Sequence, residues 1–185
     1  MVVSVWQWML SMIRWVIFRA NLWLCRQLQS HAGPHQLVFL GGGLAAGMGD
    51  YVVLGMPLTG AARHVSALLT RTGKTRRRWT VLNLGEPDVC SRDWNPQMGK
   101  LLENEARLDT LARADLIVVA MGSEDSRWKL DPRATVEHLD ALIRLIGTEA
   151  RKVVICTIPN CPDASLQTYA DLKQRNELIV QYCLK

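Results

Sequence analysis

From residue 36 onward, short apolar runs alternate with longer segments whose apolar residues recur at helical spacing, and this alternation restricts the fold more than any other feature. "QLVFLG" (36–41) predicts a first buried strand, and "GAARHVSALLTRTG" (60–73) an amphipathic helix closed by Gly73. "RWTVLNLG" (78–85) and "MGKLLENEARLDTLAR" (98–113) read as a second strand and helix. "ADLIVVAMG" (114–122) and "PRATVEHLDALIRLIGTEA" (132–150) make a third pair, and "RKVVICTIP" (151–159) and "SLQTYADLKQRNELIVQYCL" (165–184) a fourth. Short apolar strands separated by helices of ten or more residues indicate a mostly parallel sheet covered on both faces. The expectation is an α/β, three-layer, flavodoxin-like sandwich over residues 36–185, preceded by a separate apolar helix over residues 1–30. Ligands in such sheets sit at the carboxyl ends of the strands. That directs attention to loops 41–50, 85–94, 122–130 and 159–166.

The first thirty residues hold four of the seven tryptophans. At helical spacing Ser4, Gln7, Ser11, Arg14 and Asn21 fall on one narrow stripe, and nearly everything else is apolar. Arg14 and Arg19 interrupt the run, and an arginine at the centre of a span costs about 2.5–3.5 kcal/mol on insertion scales. A membrane-crossing span is therefore disfavoured. A cleaved secretory signal is a poor match too, because no charge precedes the apolar run and no small-residue cleavage site follows it. Four roles remain for this helix. It can lie in a membrane interface, with Trp6, Trp8, Trp15 and Trp23 at headgroup depth and Arg14 and Arg19 near anionic lipid. It can pack into a groove on a larger membrane assembly, serve as an acid-free import signal of the mitochondrial kind, or fold back onto the domain. "HAGP" (31–34) reads as the linker, leaving His31 and His35 solvated.

Charge placement supports this division. The net charge is +5, yet no Asp or Glu precedes Asp50, so Arg14, Arg19 and Arg26 alone supply +3. The body is nearly balanced, which argues against a nucleic-acid binder. "KTRRR" (74–78) has no interleaved aromatics and reads as a solvated turn. Five cysteines without a Cys-x-x-Cys pair indicate free thiols in a reducing compartment and no metal site.

"LVFLGGGLAAGMGD" (37–50) runs a strand into a glycine turn, and Gly41, Gly43 and Ala46 satisfy a loose dinucleotide fingerprint. That motif needs a helix starting at the loop and an acid about twenty residues on, at the end of the next strand. Gly47, Gly49, Gly55 and Pro57 leave no room for a long helix, and Glu86 comes too late. No Gly-Lys-Ser/Thr follows either, so neither a cofactor nor a nucleotide is expected.

The order of elements resembles the SGNH (GDSL-type) hydrolases across about 150 residues. Gly41-Gly42-Gly43-Leu44-Ala45-Ala46-Gly47 is similar to that family's Gly-Asp-Ser-x-x-x-Gly turn. Gly85 matches its oxyanion-hole glycine, and Gly122-Ser123-Glu124-Asp125 its Gly-x-Asn-Asp. The resemblance puts Gly43 in place of the nucleophilic serine, Gly42 in place of the adjacent aspartate and Glu124 in place of the oxyanion asparagine. The family's Asp-x-x-His would lie near the C-terminus, whereas the last histidine of this chain is His138, inside a predicted helix. Gly43, Gly85 and Glu124 are thus expected to be vestigial. Substitute groups are Ser123 beside Asp125 with His64, or a cluster of Glu86, Asp88, Glu124 and Asp125 at the strand ends.

These features together predict a catalytically inactive SGNH-like accessory subunit of a membrane-associated complex. A mitochondrial inner-membrane assembly, such as a respiratory complex or ATP synthase, would suit the leader; a cytoplasmic peripheral membrane site is the alternative. The expected partners are protein subunits and, through residues 1–28, membrane lipid. The competing expectation is an esterase-like enzyme or acyl binder using a non-standard site in the old cleft.

Overall fold

In a computed structural model, four strands form one parallel sheet: β1 (His35–Gly41), β2 (Trp79–Asn83), β3 (Leu116–Ala120) and β4 (Lys152–Ile155). The structure describes residues 5–29, 34–48, 58–72, 78–159 and 166–185. Helices α1 (Val5–Leu28), α2 (Gly43–Ala46), α3 (Gly60–Thr72), α4 (Glu105–Ala112), α5 (Pro132–Ile146) and α6 (Leu166–Cys183) complete the fold, with short 3-10 turns at Ser91–Trp94 and Leu101–Glu103. Of the motifs read from the sequence, most of the 31–34 linker and the 74–78 basic run fall outside the described residues.

Side chains alternate across β1, so each face of the sheet collects its own core. Leu37 and Phe39 meet Val81, Leu58 and Ala62 under α3. Val38 and Leu40 point the other way, joining Leu82, Ile117, Val119 and Trp94 beneath Leu139, Leu142 and Ile146 of α5 and Leu172 and Ile179 of α6. The three-layer sandwich is therefore present. The strand order is β2-β1-β3-β4, so the chain reverses direction across the sheet between β1 and β3. In open parallel sheets such a reversal marks the binding crevice, at the carboxyl ends of these two strands. Gly41 closes β1 there with φ +142, and a Cβ on it would overlap the Ala120 carbonyl of β3.

Two element boundaries differ from expectation for local reasons. The predicted helix over 98–113 is broken, because the Asn104 side chain accepts the Arg107 N–H at 3.0 Å and starts a new helix at Glu105. The third helix stops at Ile146 rather than 150, where Gly147 takes an extended conformation. His35 opens β1 instead of lying in the linker; its ring sits 5.4 Å from that of Trp79.

The first helix is long, but no helix among the described residues is long and apolar enough to cross a membrane. Its C-terminal half packs on the body through Leu22 and Cys25. The side-chain amide of Gln29 just beyond it accepts the Asn83 N–H at 3.2 Å and so pairs part of the outer edge of β2.

Candidate functional site

The crevice between β1 and β3 is floored by the glycine turn. Gly42 leaves the strand in an extended conformation, α2 makes a single turn, and Gly47 ends it in the left-handed region. The Glu124 carboxylate stands directly above. Its Oε1 accepts the Gly43 backbone N–H at 2.8 Å, and its Oε2 accepts the Ser123 hydroxyl. A Cβ placed on Gly43 would come within 2.5 Å of Glu124 Oε1 and 2.6 Å of Met48 Sδ. The space that a side chain at position 43 would fill is thus taken by a carboxylate and a thioether.

The second strand end is equally occupied. The Gly85 N–H donates to Asn83 Oδ1 at 2.8 Å, while Asn83 Nδ2 donates to the Ala45 and Thr59 carbonyls. Both backbone donors that the glycine turn and the Gly85 loop bring to the crevice therefore have internal acceptors. Oxyanion stabilisation requires donors free to meet charge that develops on the substrate.

Around the rim, Glu86 accepts from Arg19 and Arg26 of α1, each at 2.8 Å, and from Arg107 of α4 at 3.2 Å. Arg26 also donates to the Gly85 carbonyl at 2.6 Å. Arg107 lies over the ring of Trp94, whose indole N–H donates to the Gly41 carbonyl at 3.0 Å. Asp88 accepts from the Trp15 indole at 2.9 Å and from Arg127 at 3.2 Å. The carboxylates of the 85–88 loop therefore clasp α1 to the mouth of the crevice.

Comparison with known proteins bears on the fold. No protein-family model matches the chain, and no curated protein matches it in sequence. Solved structures do match. LAE5, an alpha/beta hydrolase enzyme from the metagenome of Lake Arreo, Spain, superposes with a TM-score of 0.61 at 16% identity, covering 82% of this chain and 73% of that one. A lipase/acylhydrolase from Enterococcus faecalis gives 0.56 at 19% identity, over 80% and 73% of the two chains. AlinE4, an SGNH-hydrolase family esterase, gives 0.56 at 14%, over 83% and 75%. The fold is SGNH-hydrolase-like.

Within this SGNH-like fold, Glu124 reaches the Gly43 N–H and Gly85 lies against Ala45 and Ala46 of the same turn. The proposed substitutes do not assemble. Ser123 donates to Glu124, while His64 sits exposed on α3. Glu86 and Asp88 are held by cations, and no group of three or more His, Cys, Asp or Glu side chains among the described residues could hold a metal ion. Trp6 and Trp8 are exposed, Trp15 and Arg19 reach the 85–88 loop, Arg14 lies on the exposed shaft of α1, and Trp23 faces outward.

Sequence reasoning missed a buried polar network behind the crevice. Asp125 accepts from the Ser91 N–H at 2.8 Å and hydroxyl at 2.6 Å, and from the Thr135 hydroxyl at 2.6 Å. Arg175 of α6 lies 3.8 Å away, and both it and Asp125 are fully buried. His138 Nδ1 is 2.9 Å from the Ser91 oxygen. With the Ser91 hydroxyl donating to Asp125, the tautomer that satisfies both contacts carries its proton on Nδ1 and donates it to Ser91. Ser91, His138 and Asp125 are thus joined in one buried hydrogen-bonded chain behind the crevice. Spacing within one element could not have revealed it, since its members come from four segments.

Burial pushes the His138 imidazole below its ordinary pKa, against the opposing pull of Asp125. The unfolded chain then binds a proton that the folded chain refuses. Stability from this residue is complete above about pH 6.5 and falls as pH drops below that value. Chemical denaturation of the wild type and His138→Gln between pH 7.5 and 5 should show the wild type losing more stability, by up to about 1.4 kcal/mol per pH unit.

Proposed function

We propose that this SGNH-like chain is a catalytically silent domain that serves as a structural or accessory subunit of a membrane-associated assembly, held there by α1. The observation that supports it best is the Glu124 carboxylate seated on the Gly43 N–H, where a nucleophile and its oxyanion would have to stand. A fixed negative charge at that point opposes a tetrahedral oxyanion instead of stabilising it. The exposed apolar shaft of α1 supports the attachment role. An acid-free, arginine-bearing leader suits a mitochondrial inner-membrane complex, which native isolation in mild detergent with identification of co-purifying subunits would test.

Turnover of short-chain aryl esters by the purified chain is expected to equal the solvent rate. Gly43→Ser should also fail to hydrolyse them and should lose about 1–2 kcal/mol of stability through crowding against Glu124 and Met48. Glu124→Ala in that background should restore most of the stability without restoring turnover. The second reading, an esterase or acyl binder with a non-standard site, is favoured by the hydrolase and esterase activities of the matched structures. Ester turnover by the wild type that disappears in Ser123→Ala would establish it and overturn the silent reading.

A further inference from the structure

Helix α1 meets the body along one side only, through Leu22, Cys25 and the Arg19 and Arg26 ion pairs. At 3.6 residues per turn the opposite side runs Val5, Met9, Ile13, Val16, Trp23, Leu24 and Leu28, and every one of these is exposed. Trp6 is 72%, Ile13 51% and Trp23 64% exposed. No charged residue falls on that side, and the whole helix contains no acid. The result is an uncharged, largely apolar face about 36 Å long, with Gln27 as its polar interruption.

Its borders are cationic. Among the described residues Arg19, Arg26, Arg107 and Arg127 pair with Glu86 and Asp88, four guanidinium groups on two carboxylates, and Arg19 and Arg127 keep 42% and 73% of their side chains exposed; exposed Arg14 adds another charge. The bond from Trp15 to Asp88, which also pairs with Arg127, brings the exposed Trp128 loop to the same rim.

From this we infer that α1 lies flat in the headgroup region of an anionic phospholipid leaflet, its outward face among the acyl chains and its arginine rim at the phosphates. A long, uncharged outward face carrying Trp6 and Trp23 and flanked by cations fits a lipid surface, whose chemistry is uniform along the helix. The inference deepens the attachment role proposed for α1 and is independent of whether the crevice is silent.

Flotation of the full chain with phosphatidylcholine vesicles, with and without about a third phosphatidylglycerol, tests it. Binding is expected to the anionic vesicles and to be at least about tenfold weaker to the neutral ones. Ile13→Glu and Leu24→Glu, both on the outward face and away from the body, should each reduce binding about tenfold or more. Arg14→Glu should remove most of the preference for anionic lipid. Unchanged thermal melting of the variants shows that the body has folded. No flotation, or flotation indifferent to Ile13→Glu and Leu24→Glu, overturns the inference. So does a stable self-dimer or protein complex that covers this face and excludes vesicles. Ester turnover would sink the silent reading and leave the lipid result standing.

Discussion

Asp125→Ala is expected to unfold the domain under conditions where the wild type is stable. Asp125 accepts three hydrogen bonds from Ser91 and Thr135 and stands opposite the fully buried Arg175. Removing one partner of a buried charged network costs about 3–5 kcal/mol, because the remaining polar groups stay buried without compensation. A domain of this size has about 5–15 kcal/mol in total. Arg175 keeps Asp171 at 2.8 Å, so the loss should fall at the Ser91 end of the network. Urea unfolding should show a midpoint displaced far below that of the wild type, with Asp125→Asn intermediate. Equal stability of the alanine variant would mean that the network is not what holds the 3-10 turn at Ser91–Trp94 to α5.

Glu86→Ala should release α1 from the body while leaving the sheet intact. Three guanidinium groups converge on that carboxylate, two of them from α1. The side chain of Arg19 is 42% exposed, so solvent screening lowers its share, and a total of about 2 kcal/mol is expected. Trypsin should then cleave after Arg19 and Arg26 at least about tenfold faster than in the wild type. Raising the salt should accelerate cleavage of the wild type but barely affect the variant. Leu22 and Cys25 would still favour docking, which is why Glu86→Gln should fall between the two.

Much of the fold was legible because burial on both faces leaves strands as continuous apolar runs, as in "QLVFLG" and "LIVV". The start of α5 was legible as well, since Asp131 caps it and Pro132 occupies its first turn. The break at Asn104 was not, because an asparagine inside an amphipathic pattern counts as one polar residue until its side chain takes a backbone N–H. In the site, Gly43, Gly85 and Glu124 could be aligned with family positions. That Glu124 would fold back onto the Gly43 N–H depends on the registry of β1 with β3, which lies outside any local window. The Glu86 clasp was hidden for the same reason, as its partners lie as much as 67 residues away. The acidic cluster offered at the strand ends does not assemble, because arginines take Glu86 and Asp88, the Gly43 amide takes Glu124, and Ser91 and Thr135 take Asp125.

The contact between Glu124 and Gly43 also locks the two positions to one another. A serine at position 43 meets a side chain already in its place, and a shorter residue at position 124 leaves an unfilled turn and an unmatched amide. Each change made alone costs stability. Only two coordinated changes would open the space between strand end and turn, so neither position can vary independently of the other.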